Sequence, residues 1–482
     1  MEKQTRREFP ERHGETDVRL NRRSFLKTIG FAAASAPALS ILPGCASMNQ
    51  RTQAGRKRPN IIVIISDDQG YADIGVQGCQ DIATPNIDSI AHNGIRFTNG
   101  YVSCPVCSPT RAGLATGRYQ QRFGHEFNTG PPPGGLEEHV GLPLTEVTIA
   151  DVLKSAGYVT GAVGKWHLGM VPHFHPFKRG YDEFFGFLHG GHSYTDPGLG
   201  TFNPILRGTE PVDEKEYLTD AFSREAVAFI QRHHDKPFFL YLAYNAVHTP
   251  LQTPQRYQDS FGHITDKKRR VYAGMLTAMD EGIGKLLAKL RELDIEEDTL
   301  LFFFSDNGGP TQANGSRNDP LRGTKGTMFE GGIRVPFLIQ WPRCLKSGQI
   351  YEHPVIALDI LPTAAAAAGA DLPKDRRIDG VNLLPYLTGE KKMPPHDSLY
   401  WRAGQNHAVR KGNWKLVRSA NETGLFDLAS DIGESRNLSQ ERPDVLKEMQ
   451  EAFERWNSQM IEPLWTRQQR TQKTTKTKRK KS

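Results

Sequence analysis

The chain has 482 residues, 37% of them hydrophobic, with five Cys and 46 Gly. That length buries core enough for one large domain with a smaller companion, or for a few modest domains, and five cysteines spread over it exclude a small disulfide scaffold. The 61 Lys plus Arg against 54 Asp plus Glu give a net charge of +7, but residues 1–60 and 461–482 together carry +14 and leave 61–460 at −7. The basic balance therefore belongs to the ends and argues against nucleic acid as a partner of the middle.

Arg22 and Arg23 begin a basic head, ending at Lys27, before an apolar stretch over 29–41 that contains Pro37. The stretch is too short and too Ala-rich to span a bilayer, whereas a basic head with a modest apolar core fits an export signal. It is similar to a twin-arginine signal, which implies export of an already folded protein to the periplasm or cell envelope. Leu42, Pro43, Gly44 and Cys45 resemble a bacterial lipobox, and cleavage before Cys45 would free its thiol and amine for acylation and membrane anchoring. Pro43 is atypical there, and a soluble periplasmic product is the alternative. Residues 1–45 are expected to form the export signal and 46–58 a linker.

From Pro59 the pattern changes. Residues 61–65 are a continuous run of β-branched apolar side chains, the mark of a strand buried on both faces, and the run ends in Ser66, Asp67, Asp68, Gln69 and Gly70. The same grammar recurs at 159–163 before Lys165 and His167, at 238–244 before Asn245 and His248, and at 300–304 before Asp306 and Asn307. Four strand ends thus deliver polar residues to one edge, where open α/β sheets bind ligands. Helical periodicity covers 145–156, 216–233 and 268–292, the last interrupted by Gly274, Gly282 and Gly284, and a further helix is expected over 355–369 despite Pro362. After about residue 371 come short segments at 398–402, 408–411, 414–418 and 425–427, with a Gly412-Asn413 turn, and then a helix over 443–456. The fold class is therefore α/β: a large, mostly parallel sheet covered by helices over 59–370, and a small antiparallel sheet with one helix over 371–460. Residues 461–482 read as a basic, solvated, disordered tail.

Adjacent carboxylates such as Asp67 and Asp68 repel, and in a buried place need a cation or a proton between them; alone, the pair also fits a solvated turn. Asp306 and Asn307 repeat the situation before Gly308 and Gly309. Together the four make a hard oxygen site suited to calcium or, with tighter geometry, magnesium. No Cys-His cluster of zinc type accompanies them.

The sharpest local signal is Cys107, Ser108, Pro109, Thr110 and Arg111. Pro109 suits a first helical turn, with Ser108 as its cap. That places Cys107 at a helix N-terminus, where unpaired N–H groups meet an anion, and Arg111 aims a fixed fork at the same place. Cys104 and Cys107 also have the spacing of a thiol–disulfide pair or half a metal site, although an oxidising compartment consumes exposed thiols and no second Cys pair completes a zinc site.

Cys107 to Arg111 match the Cys-x-Pro-x-Arg signature of the formylglycine-dependent (type I) sulfatases, of the alkaline-phosphatase-like superfamily. Residues 59–70, 84–97 (TPNIDSIAHNGIRF), 164–169 (GKWHLG), 245–250, 305–309 and 321–336 (LRGTKGTMFEGGIRVP) resemble further blocks of that family, in order, over 59–430. The mild departure is Thr110, where Ser is common. The resemblance implies that a separate formylglycine-generating or sulfatase-maturating enzyme oxidises Cys107 to formylglycine. One hydroxyl of its hydrate attacks sulfur and the other expels sulfate. It assigns Asp67, Asp68, Asp306 and Asn307 to calcium, with Asp306 also taking the nucleophile's proton. Arg111 and Lys165 are assigned to the sulfate, His248 to protonating the leaving alcohol, Lys325 to the bridging oxygen and His167 to the second step.

Specificity is less legible. Aromatic and imidazole groups suit a sugar ring, so His192 and Tyr194 in the 190–196 segment (GGHSYTD), with Arg402, are expected to line the substrate; His173, His175, Trp401 and His407 are further candidates. The function expected is removal of sulfate from a sulfated poly- or oligosaccharide. Alternatives are a phosphate or phosphonate ester hydrolase on the same fold, and a surface protein that binds sulfated glycans without turnover; Cys107, Asp306, His248 and Lys325 argue against the last. The expected partners are the sulfated carbohydrate and the maturating enzyme, with no nucleic acid, and with membrane attachment only through a lipidated Cys45.

Overall fold

Uninterrupted apolar strands set the architecture. In chain order the large sheet comprises β1 (Asn60–Ser66), β2 (Ile95–Phe97), β3 (Val159–Lys165), β4 (Glu183–Phe187), β5 (Leu206–Arg207), β6 (Glu210–Pro211), β7 (Phe238–Ala243), β8 (Thr299–Ser305), β9 (Phe337–Gln340) and β10 (Gln349–Tyr351). Their spatial order is β10-β2-β9-β8-β1-β7-β3-β4-β5-β6. The five strands β8-β1-β7-β3-β4 are mutually parallel, while β9 and β5 pair antiparallel at their margins. The computed structural model describes residues 58–130, 139–419 and 422–465. The expected export signal, Cys45, nearly all of the linker and the tail from 466 lie outside these.

Side-chain alternation explains why the central strands carry no polar alternation. Ile61, Val63 and Ile65 enter one core with Phe302 and Phe304, while Ile62 and Ile64 enter a second core with Leu301 and Phe303. Helices α1 (Pro85–His92), α4 (Leu218–His233) and α5 (Lys267–Glu292) cover the second core; α2 (Cys107–Thr116), α3 (Ile149–Ser155) and α7 (Ile360–Ala368) cover the first. A short α6 (Glu330–Ile333) lies between α5 and α7 in the chain. Among the described residues no helix is long and apolar enough to cross a membrane.

Three local expectations change. α5 is continuous, because its glycines mark close approaches rather than breaks: a Cβ on Gly282 would lie 2.0 Å from Ser223 Oγ of α4. α3 starts at Ile149, where Thr148 and Asp151 form a capping box. The segment 355–369 is not one helix. Val355–Ile356 pairs with Gly100–Tyr101, a turn follows, and α7 begins at Ile360 with Pro362 in its first turn, where no N–H is needed.

The small sheet is β11 (Ser398–Ala403), β12 (Asn406–Lys411), β13 (Trp414–Arg418) and β14 (Thr423–Asp427), antiparallel in sequence order, followed by α8 (Pro443–Asn457). One face gives Trp401, Ala408, Val417 and Phe426 to the first core, and the other packs Val409, Leu416 and Leu425 on Val445 and Met449 of α8. Trp401 Nε1 donates to the Val102 carbonyl at 2.6 Å.

His396, just before β11, puts Nε2 2.8 and 3.0 Å from the two Asp359 oxygens. Burial lowers its pKa and the facing carboxylate raises it, with a net rise above the ordinary 6.5. A raised folded pKa contributes stability that is full below the unfolded value and is lost as pH climbs through the folded one. His396→Gln is therefore expected to cost more unfolding free energy at about pH 5.5 than at about pH 9. Denaturant titrations at the two pH values check this, and an equal cost at both would refute it.

Candidate active site

The C-terminal ends of the parallel strands converge. β1 leads to Asp67 and Asp68, β3 ends in Lys165, β7 leads to His248 and β8 to Asp306 and Asn307. Cys107 is the first residue of α2, which runs inward with every residue buried. The cap differs from expectation: Val106 is the N-cap and Ser108 lies inside the helix, its hydroxyl donating to the His167 carbonyl at 2.7 Å and lying 2.7 Å from His125 Nε2. The Ser108 N–H that a capping side chain would satisfy is taken by Asn128 Oδ1 at 3.0 Å.

Three carboxylates and three cations pair one to one. Arg111 donates Nε and Nη2 to Asp306 Oδ2 at 3.0 and 2.7 Å. Lys165 Nζ meets Asp67 Oδ2 at 2.6 Å, and Lys325 Nζ meets Asp68 Oδ1 at 2.5 Å. Cys107 Sγ lies between two of these pairs, 3.5 Å from Asp67 Oδ1 and 3.4 Å from Lys325 Nζ. Burial would lower the Lys165 pKa, but Asp67 and its neighbours hold it above its usual value, so the ammonium is permanent. Cys104 and Cys107 are not disulfide-bonded.

The two histidines differ. His167 Nε2 lies 3.0 Å from the Thr129 carbonyl, which makes it the protonated nitrogen and leaves Nδ1 as a lone pair with no partner among the described residues. Burial, with Lys165 and Arg111 nearby, pushes its pKa well below 6.5, so the ring is neutral. His248 Nδ1 lies 2.6 Å from the Thr249 carbonyl, which turns Nε2 toward Asp68 Oδ2 at 3.6 Å.

Two family models match the chain: Sulfatase over residues 59–370, and N-sulphoglucosamine sulphohydrolase, C-terminal, over 324–459. The chain belongs to the sulfatase family. N-acetylgalactosamine-6-sulfatase of Mus musculus is 34% identical over 406 residues, 79% of this chain and 76% of that relative. Arylsulfatase A of Bos taurus is 35% identical over 457 residues, 83% of this chain and 87% of its own. The crystal structure of Ps i-CgsB in complex with k-i-k-neocarrahexaose superposes with a TM-score of 0.81 at 39% identity, covering 88% of this chain and 97% of that one. The protein is a sulfuric ester hydrolase on the alkaline-phosphatase-like fold.

The sulfatase family implies a metal ion and a formylglycine, and the residues fit both. One ligand atom each from Asp67, Asp68, Cys107 and His248 lies within 4.8 Å of the others. Asn307 donates Nδ2 to Asp68 Oδ1 at 2.7 Å, while its Oδ1 is buried without a partner, an oxygen that a hard cation would satisfy. Asp306 Oδ1 borders the same space, accepting the Asp68 N–H at 3.4 Å. An oxygen-bearing side chain at position 107 would find a donor in Lys325 and an acceptor in Asp67, where the thiol is poorly served.

The substrate-lining residues expected from the sequence are placed otherwise. Tyr194 is 1% exposed and donates its hydroxyl to the Asn245 and His248 carbonyls at 2.5 and 2.8 Å, so it supports His248 from behind. His192 is buried against Phe187, with Nδ1 2.6 Å from the Ser193 carbonyl. Arg402 is a buried strut, ion-paired to Glu126 and bonded to Asn457 and the Ile461 carbonyl. Trp401 is fully buried, His407 stacks on Phe453 at 3.8 Å, and His175 lies 3.1 Å from the Gly208 carbonyl. What does reach the site from 190–196 is backbone: a Cβ on Gly190 would lie 2.5 Å from His167 Nε2, and one on Gly191 3.4 Å from His248 Cε1. Sequence reasoning missed Thr129, which orients His167, and Asn314, whose Nδ2 donates to the Asp68 carbonyl at 3.0 Å. Neither sits in a recognisable spacing.

Burial pushes the Cys107 thiol well above its ordinary pKa and Asp306 adds to this, with Lys165 and Lys325 only partly offsetting it. Any unmodified fraction of the sulfatase is therefore expected to resist iodoacetamide at Cys107 while folded at about pH 8, and to react on unfolding. Peptide mass spectrometry checks this; rapid labelling of the folded protein would show the thiolate to be accessible and stabilised.

Proposed function

We propose that this sulfatase removes sulfate from a sulfated carbohydrate, with Cys107 converted to formylglycine and calcium held by Asp67, Asp68, Asp306 and Asn307. The carrying observation is the convergence of three buried acids and three cations on the side chain of residue 107. Bound there, the ion supplies Lewis-acid polarisation of the ester, and the aldehyde hydrate supplies one hydroxyl for attack and another for sulfate release.

The chain's own residues do the rest. Arg111 and Lys165, both fully buried and permanently charged, neutralise and orient the sulfate oxygens. Asp306, whose Oδ2 is fixed by the Arg111 fork, presents Oδ1 to take the nucleophile's proton. Neutral His167, with Nδ1 unprotonated, accepts a proton in the release step. His248 holds Nε2 on the more exposed side as proton donor to the leaving alcohol, and Lys325 Nζ binds the bridging oxygen. Those two side chains are 21% and 18% exposed, so the leaving group faces solvent while the sulfate is enclosed.

A relative named as an N-acetylgalactosamine-6-sulfatase and a solved neighbour in complex with a neocarrahexaose support the carbohydrate class. The basic head and short apolar core before residue 42 support export to the periplasm or cell envelope, with Cys45 as lipid anchor, where sulfated polysaccharide is met. A formylglycine-generating enzyme is the required partner.

Co-expression with such an enzyme is expected to yield sulfate release from defined sulfated galactan oligosaccharides, abolished by Cys107→Ala and by calcium-selective chelation, and restored by calcium. Preferential turnover of aryl phosphate would instead favour the phosphate or phosphonate alternative. His248→Ala should lower kcat about 10²- to 10⁴-fold on a sugar sulfate and far less on an activated aryl sulfate, which needs no donor. An equal loss on both would remove His248 from the leaving-group side.

A further inference from the structure

The loop that carries Lys325 is anchored at its tip by the catalytic core and at both ends by the small C-terminal unit. At the tip, Gly326 N–H donates to the Pro105 carbonyl at 2.8 Å, two residues before Cys107, and Thr324 Oγ1 donates to the Gly309 carbonyl at 2.7 Å. At the entering end, Arg322 Nη1 donates to the main-chain carbonyl of Glu434 at 2.9 Å, and its guanidinium lies 3.9 Å over the Phe329 ring. At the leaving end, the N–H of Glu330, which opens α6, donates to the Glu434 carboxylate at 2.7 Å. One residue therefore clamps both ends, by its main chain and by its side chain. Glu434 adopts a left-handed φ of 50° to do so, a conformation that costs energy for a non-glycine residue.

Lys415 of β13 locks this clamp. Its ammonium lies 2.7 Å from Glu330 Oε1 and 2.9 Å from Glu434 Oε1, and all three residues are fully buried. Glu330 Oε2 in turn accepts from the Tyr101 hydroxyl at 2.6 Å and Arg334 Nη1 at 3.2 Å. Such a buried ionic cluster gains little stability over an apolar one of equal volume, because desolvation offsets the attraction. What it does supply is a fixed geometry with directional bonds. That geometry continues to the metal-binding loop, since Gly308 N–H donates to the Gly332 carbonyl at 3.0 Å.

We propose that Glu434 and Lys415 are positioning residues for sulfate ester hydrolysis: they fix both ends of the 322–330 loop and thereby set where the Lys325 ammonium meets the leaving oxygen. Neither touches substrate. The inference rests on the assignment of Lys325 to the leaving group, and it gives the small sheet a part in the rate of the reaction.

The test uses the mature full-length enzyme and a series of aryl sulfates of graded leaving-group pKa, extended by a sulfated oligosaccharide. Glu434→Ala, which removes the acceptor for the Glu330 N–H, is expected to lower kcat about tenfold on the poorest leaving group and to leave the most activated aryl sulfate within about twofold, parallel to Lys325→Ala but smaller. KM should change little. Glu434→Gln, which keeps an acceptor for that N–H, should restore most of the wild-type dependence. Lys415→Met is the second variant; any fraction of it that unfolds lowers every rate in proportion and leaves the slope untouched. A uniform loss across the series for Glu434→Ala and Lys415→Met, with Lys325→Ala steepening it, overturns the inference alone. An unchanged slope in Lys325→Ala overturns the role of Lys325 itself, and the inference falls with it.

Discussion

Two consecutive carboxylates buried at the end of one strand are the constraint on which the rest of the site depends. Asp67 and Asp68 are 0% and 2% exposed, and each faces a cation of its own, Lys165 and Lys325. A strand that simply continued would send them to opposite faces of the sheet. Instead Asp68 turns into a left-handed φ of 62°, so that Asp67 faces Lys165 and the residue-107 side chain while Asp68 faces Lys325, Asn307 and His248. The strain is held by neighbours that over-determine it: Asn314 bonds the Asp68 carbonyl and Asp306 accepts the Asp68 N–H. Each cation then comes from a different element, Lys165 from β3, Arg111 from α2 and Lys325 from the loop before α6. Assembling the site and folding the sheet are the same event.

The large-scale order was legible in the sequence because burial on both faces leaves an unmistakable trace. Runs such as 61–65 and 300–304 are apolar without alternation, and the polar residues after them fall at one sheet edge by topology alone. The residues proposed for the metal and the nucleophile were expected at strand ends and a helix start, and the structure brings Asp67, Asp68, Cys107 and His248 together there. Conformation was not legible. Nothing in the string marks Asp68 or His167, at φ 58°, as left-handed, because the residues that hold them there are distant in sequence. The capping rule chose Ser108, whereas the N-cap is Val106, two residues earlier, and Asn128 supplies the acceptor for the Ser108 N–H.

The rings in 190–196 that were expected to line the substrate are buried, for a different physical cause. Aromatic and imidazole groups were assigned to a sugar on composition, but the segment passes His167 so closely that a Cβ on Gly190 would lie 2.5 Å from Nε2, which leaves no room for a side chain there. The bulky neighbours His192 and Tyr194 then turn inward, where Tyr194 fixes the backbone of His248. Likewise Trp401 and Arg402 join the small sheet to the body instead of facing a ligand.

Exposure divides the site into two halves, and in the proposed mechanism the division separates chemistry from recognition. Arg111, Lys165 and Asp306 are sealed, and in the proposed mechanism they meet the charged half of the ester with fixed charges in a low-dielectric place where their effect is large. His248 and Lys325 sit at the mouth, and each hangs on a loop: His248 after β7, with Tyr194 behind it, and Lys325 on the segment braced by the C-terminal unit. The sealed half has no freedom to vary without losing the ion pairs that let it fold. The open half is built from loops and from a separate sheet, so the alcohol accepted can change through those parts while sulfate binding stays constant. A single fold can in this way serve many sulfated alcohols.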